Sequence, residues 1–196
     1  MKYLKEWKIF ENHDNIYEIC RKYGITNYTI NSDGTIDVDG DVDLSDKGLT
    51  KLPLTFNRVI GDFSCSYNNR LTSLEGSPKH IDGYFSCSYN NRLTSLEGSP
   101  KHIDGYFSCY SNKLINLDHL PEVSGDIYMV NNPVYWIVKD WIKSPKGRWE
   151  KWEYFQDLNI IQGSKVILER LEEFHEVMEI PMPDLKEIKK YYIVIE

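Results

Sequence analysis

No apolar run in this chain of 196 residues approaches the roughly 18 residues that a membrane-spanning helix requires. The opening stretch, MKYLKEWKIFENHDN, is too polar for a secretory signal peptide. Both absences lead to the expectation of a cytoplasmic protein without a membrane partner. The sequence also lacks a P-loop, GxSxG, HExxH or paired CxxC motif. No catalytic residue, metal site or cofactor is therefore expected, and the chain reads as something other than an enzyme. Basic residues are in deficit, with 23 Lys and Arg against 30 Asp and Glu and a net charge of −7. A direct nucleic-acid binder needs clustered Lys and Arg for phosphate contacts, so that class is set aside. Cysteine is sparse, at Cys20, Cys65, Cys87 and Cys109, with neither metal-ligand nor compact disulfide spacing.

What is present is repetition. Residues 61–82, GDFSCSYNNRLTSLEGSPKHID, are copied at 83–104 with a single difference, Asp62 against Tyr84. Aligned on the short Gly-led run, five lines emerge: GDVDLSDKGL from 40, GDFSCSYNNRL from 61, GYFSCSYNNRL from 83, GYFSCYSNKL from 105 and GDIYMVNNPV from 125. The spacings are 21, 22, 22 and 20 residues, a period characteristic of stacked repeat architectures. Alternation within each run sends one set of side chains inward and the next outward. The inward pairs are Val42/Leu44, Phe63/Cys65, Phe85/Cys87, Phe107/Cys109 and Ile127/Met129. One such strand cannot bury its apolar face, but strands stacked about 4.8 Å apart can. The three recurrent cysteines are thus expected to pack as small hydrophobes. A Cys–His catalytic pair with His80 or His102 is the alternative, but both histidines are expected at the surface.

The columns Leu49/Leu71/Leu93/Leu114/Val134, Leu52/Leu74/Leu96/Leu117 and Asn68/Asn90/Asn112/Asn132 resemble those of the leucine-rich repeat family, L-x-x-L-x-L-x-x-N-x-L, over roughly residues 40–134. Two features depart from it: an extra residue, Asn69 or Asn91, in the middle copies, and Cys in place of Leu in the strand. The resemblance implies an α/β solenoid of about five parallel strands. Its Asn side chains would tie the turns, and its sheet would line a concave binding surface. Similar caps and repeats occur in uncharacterised bacterial and phage members. Secreted bacterial ubiquitin-ligase effectors also join such repeats to a helical C-terminal domain. Their catalysis needs a cysteine there, and this chain has none beyond Cys109. The return segments, punctuated by Pro53, Pro78, Pro100 and Pro121, are too short for α-helices and are expected to be extended or 3₁₀ turns.

A solenoid needs end caps. Residues 1–39 supply the first, with Ile16, Ile19, Cys20 and Tyr23 on one helical face closed by Gly24. A hairpin follows around Ser32-Asp33-Gly34. Residues 135–196 read as a C-terminal helical cap containing Trp136, Trp141, Trp149 and Trp152, which are expected to pack over the last repeat. A helix is expected to begin at Ser164 and bury Ile167, Leu168, Leu171, Phe174, Val177 and Met178, and YYIVIE is expected to form a strand. Lys139, Lys143, Lys146, Arg148 and Lys151 read as a solvated basic face.

The outward columns carry Asp41, Asp62, Tyr84, Tyr106 and Asp126, then Asp43 and Tyr128 flanking three serines, then Tyr110, with Tyr67 and Tyr89 at the strand ends. Tyr offers large amphipathic contact at low entropy cost, and Ser offers adaptable hydrogen bonds. These ten Tyr and Asp residues are the candidate site for a protein or peptide partner. The competing reading is an acidic regulator or inhibitor, of the phage anti-defence or nucleic-acid-mimic type, using Asp37, Asp39, Asp41 and Asp43 as a row of carboxylates. A calcium site in that strip lacks EF-hand spacing. The sequence leaves the oligomeric state open.

Overall fold

The computed structural model describes residues 15–196. The part of the N-terminal cap that falls on residues 1–14 lies outside the described residues. Helix α1 runs over residues 15–23 and buries Ile16 and Cys20, and Gly24 ends it at φ +69°. Strands β1 (Tyr28–Ile30) and β2 (Ile36–Val38) form the expected antiparallel hairpin. Asp33 closes its turn by accepting hydrogen bonds from the Thr35 backbone (3.0 Å) and hydroxyl (2.7 Å).

The repeats then wind as a parallel β-solenoid. Five Gly-led runs become β3 (Val42–Asp43), β5 (Phe63–Ser64), β7 (Phe85–Ser86), β9 (Phe107–Ser108) and β11 (Ile127–Tyr128), paired in parallel as one front sheet. The return segments form a second sheet, where extended or 3₁₀ turns were expected. Strands β4 (Phe56–Val59), β6 (His80–Ile81), β8 (His102–Ile103) and β10 (Glu122–Val123) stack in parallel onto the hairpin through β2. Each coil therefore contributes two short strands, and the apolar interior is filled from both sides. Phe63, Phe85 and Phe107 stack up the middle with ring centroids 5.8 and 5.4 Å apart. Val59, Ile81, Ile103 and Val123 meet them from the return sheet, and all are buried. Each fully buried Phe contributes on the order of 2 kcal/mol of transfer free energy.

Register is locked at two points per coil. At the corner between sheets, a Cβ on Gly83 would lie 2.7 Å from Gly61 O, and one on Gly105 would lie 2.5 Å from Gly83 O. Only glycine allows coils to approach that closely. At the other end of the front strand the buried Asn column works as expected. Asn90 Nδ2 donates to Cys87 O (2.8 Å) in its own coil and to Cys65 O (3.2 Å) in the coil before. Its Oδ1 accepts the Asn68 N–H at 2.7 Å. Asn68, Asn112 and Asn132 repeat the pattern of donation to two carbonyls in neighbouring coils.

The C-terminal region is mixed rather than purely helical. It contains α2 (Tyr135–Val138), α3 (Arg148–Asp157), α4 (Leu168–Val177) and α5 (Leu185–Ile188). It also holds a three-stranded sheet of β12 (Ile161–Gln162), β13 (Lys165–Ile167) and β14 (Ile193–Ile195). YYIVIE thus supplies the expected strand. Ser164 is not a helix cap: residues 165–167 pair in parallel with 193–195, and α4 starts only at Leu168. Val177 is 56% exposed and leaves the expected apolar stripe. Trp141 packs against Phe155 and Phe174, with centroids 5.5 and 5.6 Å away.

Arg148 is the largest departure from the sequence reading. It does not join a solvated basic face but is completely buried. Its guanidinium donates to Gly125 O (3.0 Å), Lys143 O (3.2 Å), Ile142 O (3.4 Å) and Val123 O. It therefore occupies two carbonyls, those of Val123 and Gly125, that a further coil would otherwise have satisfied. Ile127 N–H, at the same open end, donates to Lys143 O at 2.9 Å. No helix among the described residues is long and apolar enough to cross a membrane.

Candidate functional site

All ten candidate residues lie on the front sheet, its exposed face or its strand ends, because parallel registration places equivalent positions one above another. Tyr67, Tyr89 and Tyr106 are exposed (54%, 42% and 43%), and Tyr84, Tyr110 and Tyr128 are half-buried. Two pairs are nearly parallel: Tyr67–Tyr89 at 4.6 Å and Tyr84–Tyr106 at 4.9 Å, each with an 8° interplanar angle. Tyr128 extends the second pair, meeting Tyr106 edge-on at 5.9 Å and stacking on Tyr110 at 6.1 Å. Lys143 Nζ sits 5.5 Å from the Tyr128 ring centroid, a cation–π contact that the sequence did not suggest.

The serines between these rings are not free for adaptable bonding. Ser45–Ser64 (2.7 Å), Ser64–Ser66 (3.3 Å), Ser66–Ser86 (2.8 Å), Ser86–Ser88 (3.3 Å) and Ser88–Ser108 (2.8 Å) form one zigzag of hydroxyls. Ser66, Ser88 and Ser108 are buried, and Ser88 Oγ also accepts the Tyr110 N–H at 3.1 Å. This expectation is corrected: the ladder satisfies itself and stiffens the sheet beneath the tyrosines.

The carboxylates divide into structural and exposed roles. Asp41 Oδ1 accepts the Asp62 N–H (2.8 Å) and Asp62 Oδ1 accepts the Tyr84 N–H (2.9 Å), so these side chains bridge successive coils. Asp43 accepts the Ser45 N–H at 2.9 Å, and Asp126 accepts the Tyr128 hydroxyl at 3.2 Å. Burial, and then the Asp62 carboxylate, raise the Tyr84 phenol above its ordinary value, so it remains a neutral donor. The row Asp37, Asp39, Asp41, Asp43 does not lie on one face. Asp37 is in β2 of the return sheet and holds Asn57 Nδ2 (2.8 Å) and Arg58 N (3.1 Å), whereas Asp43 is in β3 of the front sheet.

The cysteines pack as small buried hydrophobes. All four are free and buried; burial pushes Cys65 up to about 12 and raises Cys87 and Cys109 well above the ordinary thiol value. A thiolate nucleophile or ligand needs the opposite shift.

Sequence reasoning missed a second grouping, on the return sheet, where His80, Asp82 and Asp104 converge with Arg58 alongside. Its signal was the duplicated SPKHID, which repeats His and Asp at one coil's separation. No family model, curated protein or solved structure matches the chain. The fold itself defines the class: a parallel β-solenoid with a tyrosine-bearing front sheet.

Proposed function

We propose that the chain is a non-catalytic interaction module of the leucine-rich repeat type that binds a protein or peptide on its front sheet. The observation that carries this reading is the pair of parallel tyrosine stacks held over a self-satisfied serine ladder. Rings already fixed against one another lose little entropy on binding, and each keeps a hydroxyl for a partner's polar groups.

Backbone conformation supports it further. The residue before the Asn column is left-handed in successive coils: Asp46, Tyr67, Tyr89, Ser111 and Asn131, with φ from 51° to 63°. Asn and Asp tolerate that conformation, whereas a bulky residue carries a cost of about 1 kcal/mol or more. Keeping Tyr at two such positions costs stability, and contact chemistry is what the exposed rings offer in return. The repeat-family kinship is supported by the buried Leu columns and the Asn ladder, and a cytoplasmic setting by four unpaired cysteines. Dividing the acidic strip between two sheets removes the geometric support for a nucleic-acid mimic.

The test is affinity capture from the native host lysate with wild type and a Tyr84→Ala/Tyr106→Ala variant. Capture is expected to be lost while the thermal midpoint stays nearly unchanged. Undiminished capture of the same partners by the variant would overturn the proposal.

A further inference from the structure

The return sheet carries chemistry that the tyrosine face does not use. Parallel pairing places Arg58, His80, His102 and Glu122 in one column. Two residues further along each coil, the next column reads Ile60, Asp82, Asp104 and Ser124. The duplicated segment therefore stacks two carboxylates, Asp82 and Asp104, in adjacent coils beside an imidazole. Like charges in neighbouring strands repel, and this sheet cannot move them apart without breaking coil register.

His80 Nε2 lies 3.2 Å from Asp104 Oδ2 and 3.4 Å from Asp82 Oδ1. All three residues offer ligand atoms that lie within 4.8 Å of one another. Zinc–nitrogen and zinc–oxygen bonds of about 2.1 Å in a tetrahedron put ligand atoms about 3.4 Å apart. Two of the three edges of this triangle are already close to that length. Asp82 is anchored from outside the triad, where Arg58 Nη2 donates to its other oxygen, Oδ2, at 2.8 Å. That leaves Oδ1, which is buried and has no hydrogen-bond partner, directed at the triad. An outer residue that fixes a carboxylate and leaves one oxygen free is the usual support of a metal ligand.

We infer that His80, Asp82 and Asp104 form a three-ligand site for a divalent transition-metal ion of the zinc class. One imidazole nitrogen and two carboxylate oxygens suit Zn2+ and its first-row neighbours, whereas Ca2+ and Mg2+ take oxygen-only sets. Three protein ligands leave a fourth position for water or a partner's side chain. The next coil does not repeat the arrangement. Where a second triad would need a carboxylate beyond His102 and Asp104, the chain has Ser124, and His102 Nδ1 is 2.7 Å from Glu122 instead. The site thus belongs to the junction of the two duplicated segments, and His102 is a built-in control.

The experiment is titration of the full chain with Zn2+ by calorimetry, and with Co2+ by visible absorption, at pH 7.5. Wild type, His80→Ala, Asp104→Asn and His102→Ala are compared. Saturable binding of one ion per chain is expected, with the intense visible bands of low-coordinate Co2+. Affinity is expected to fall at least tenfold in His80→Ala and Asp104→Asn and to be unchanged in His102→Ala. The substituted side chains are all partly or fully exposed, and equal thermal midpoints without metal establish that the variants fold. No saturable uptake by wild type, or uptake by His80→Ala as tight as by wild type, would overturn the site. Failure of this titration would leave the tyrosine-face proposal standing, because the two rest on different sheets.

Discussion

Replacing Asn90 by Ala tests whether the solenoid is held by its side-chain amide ladder or by apolar stacking alone. Asn90 is fully buried, and alanine removes three hydrogen bonds: Nδ2 to Cys87 O at 2.8 Å, Nδ2 to Cys65 O at 3.2 Å, and Asn68 N–H to Oδ1 at 2.7 Å. The carbonyls are partly rescued, since Cys65 O keeps Asn68 Nδ2 and Cys87 O keeps Asn112 Nδ2. The Asn68 N–H loses its side-chain acceptor inside the stack. An orphaned buried donor costs about 1–3 kcal/mol and each lost bond about 1 kcal/mol, giving roughly 3–5 kcal/mol in all. That is a large part of the stability of a typical domain. Asn91→Ala is the control, because Asn91 is exposed and bonds only Asn69 Oδ1 at 2.9 Å; its cost is about 0.5 kcal/mol or less. Asn90→Asp separates the roles: it retains an acceptor for Asn68 N–H and sets a carboxylate against two carbonyls, so at neutral pH it falls at least as far as alanine. Urea unfolding is followed by far-ultraviolet dichroism, which reports the coils, and by tryptophan fluorescence in a Trp7→Phe background, which reports the C-terminal region that holds the other four tryptophans. Because repeat stability is a sum over neighbours, loss in one coil also separates these two transitions. Destabilisation by Asn90→Ala of under about 1 kcal/mol, or no greater than that of Asn91→Ala, would refute the ladder as a principal tie.

Two further outcomes follow from buried basic side chains. Arg148→Met leaves the carbonyls of Val123, Gly125 and Lys143 without their guanidinium donor and is expected to cost about 3 kcal/mol. Thermal denaturation of the variant checks it, and an unchanged midpoint would mean that water satisfies the end of the stack. His175 is 2% exposed, and burial holds its imidazole below the ordinary value of about 6.5, so the folded protein keeps it neutral. The unfolded chain binds the extra proton first, so stability is full above about pH 6.5 and falls as pH drops towards the lowered folded value. The midpoint of wild type is expected to fall more than that of His175→Phe between pH 7.5 and 5. Parallel pH profiles would remove His175 as the cause.

The legible parts of the structure are those written in register. Phe63, Phe85 and Phe107 recur at the coil period with Asn68, Asn90 and Asn112 behind them, so the front sheet and its ties follow from alignment alone. The return sheet was not legible, because β6 and β8 are two residues long and show no alternation from which a strand is read. The segment that forms β13 reads as helix for a related reason. Val166 and Ile167 continue the apolar spacing of α4, and only a long-range pairing with Val194 and Ile195 makes them strand. The tyrosine columns are legible as surface, but the burial of the serines is not. Period-two alternation assigns a side, whereas the burial of Ser66 and Ser88 arises from hydroxyls that bond to the next coil. Arg148 looks like one cation among five, and nothing local shows that the last coil's carbonyls need a donor.

The duplication explains how one chain carries two different surfaces on a common interior. Between the copies, every residue that faces the core or joins the Asn and Ser ladders is the same, so the coils stack without adjustment. The one difference lies in the outward column Asp41, Asp62, Tyr84, Tyr106, Asp126. There, Asp41 and Asp62 each accept the backbone N–H of the following coil, whereas Tyr84 stacks on Tyr106. Changing Asp to Tyr at that point exchanges a coil-to-coil hydrogen bond for an aromatic stack and leaves Phe85 and Asn90 in the places that Phe63 and Asn68 hold in the first copy. On the opposite sheet the identity of the copies has its own effect, since repeating Asp beside His brings Asp82 and Asp104 within reach of a single imidazole. Divergence of one residue shapes the front face, and the absence of divergence creates the cluster on the back.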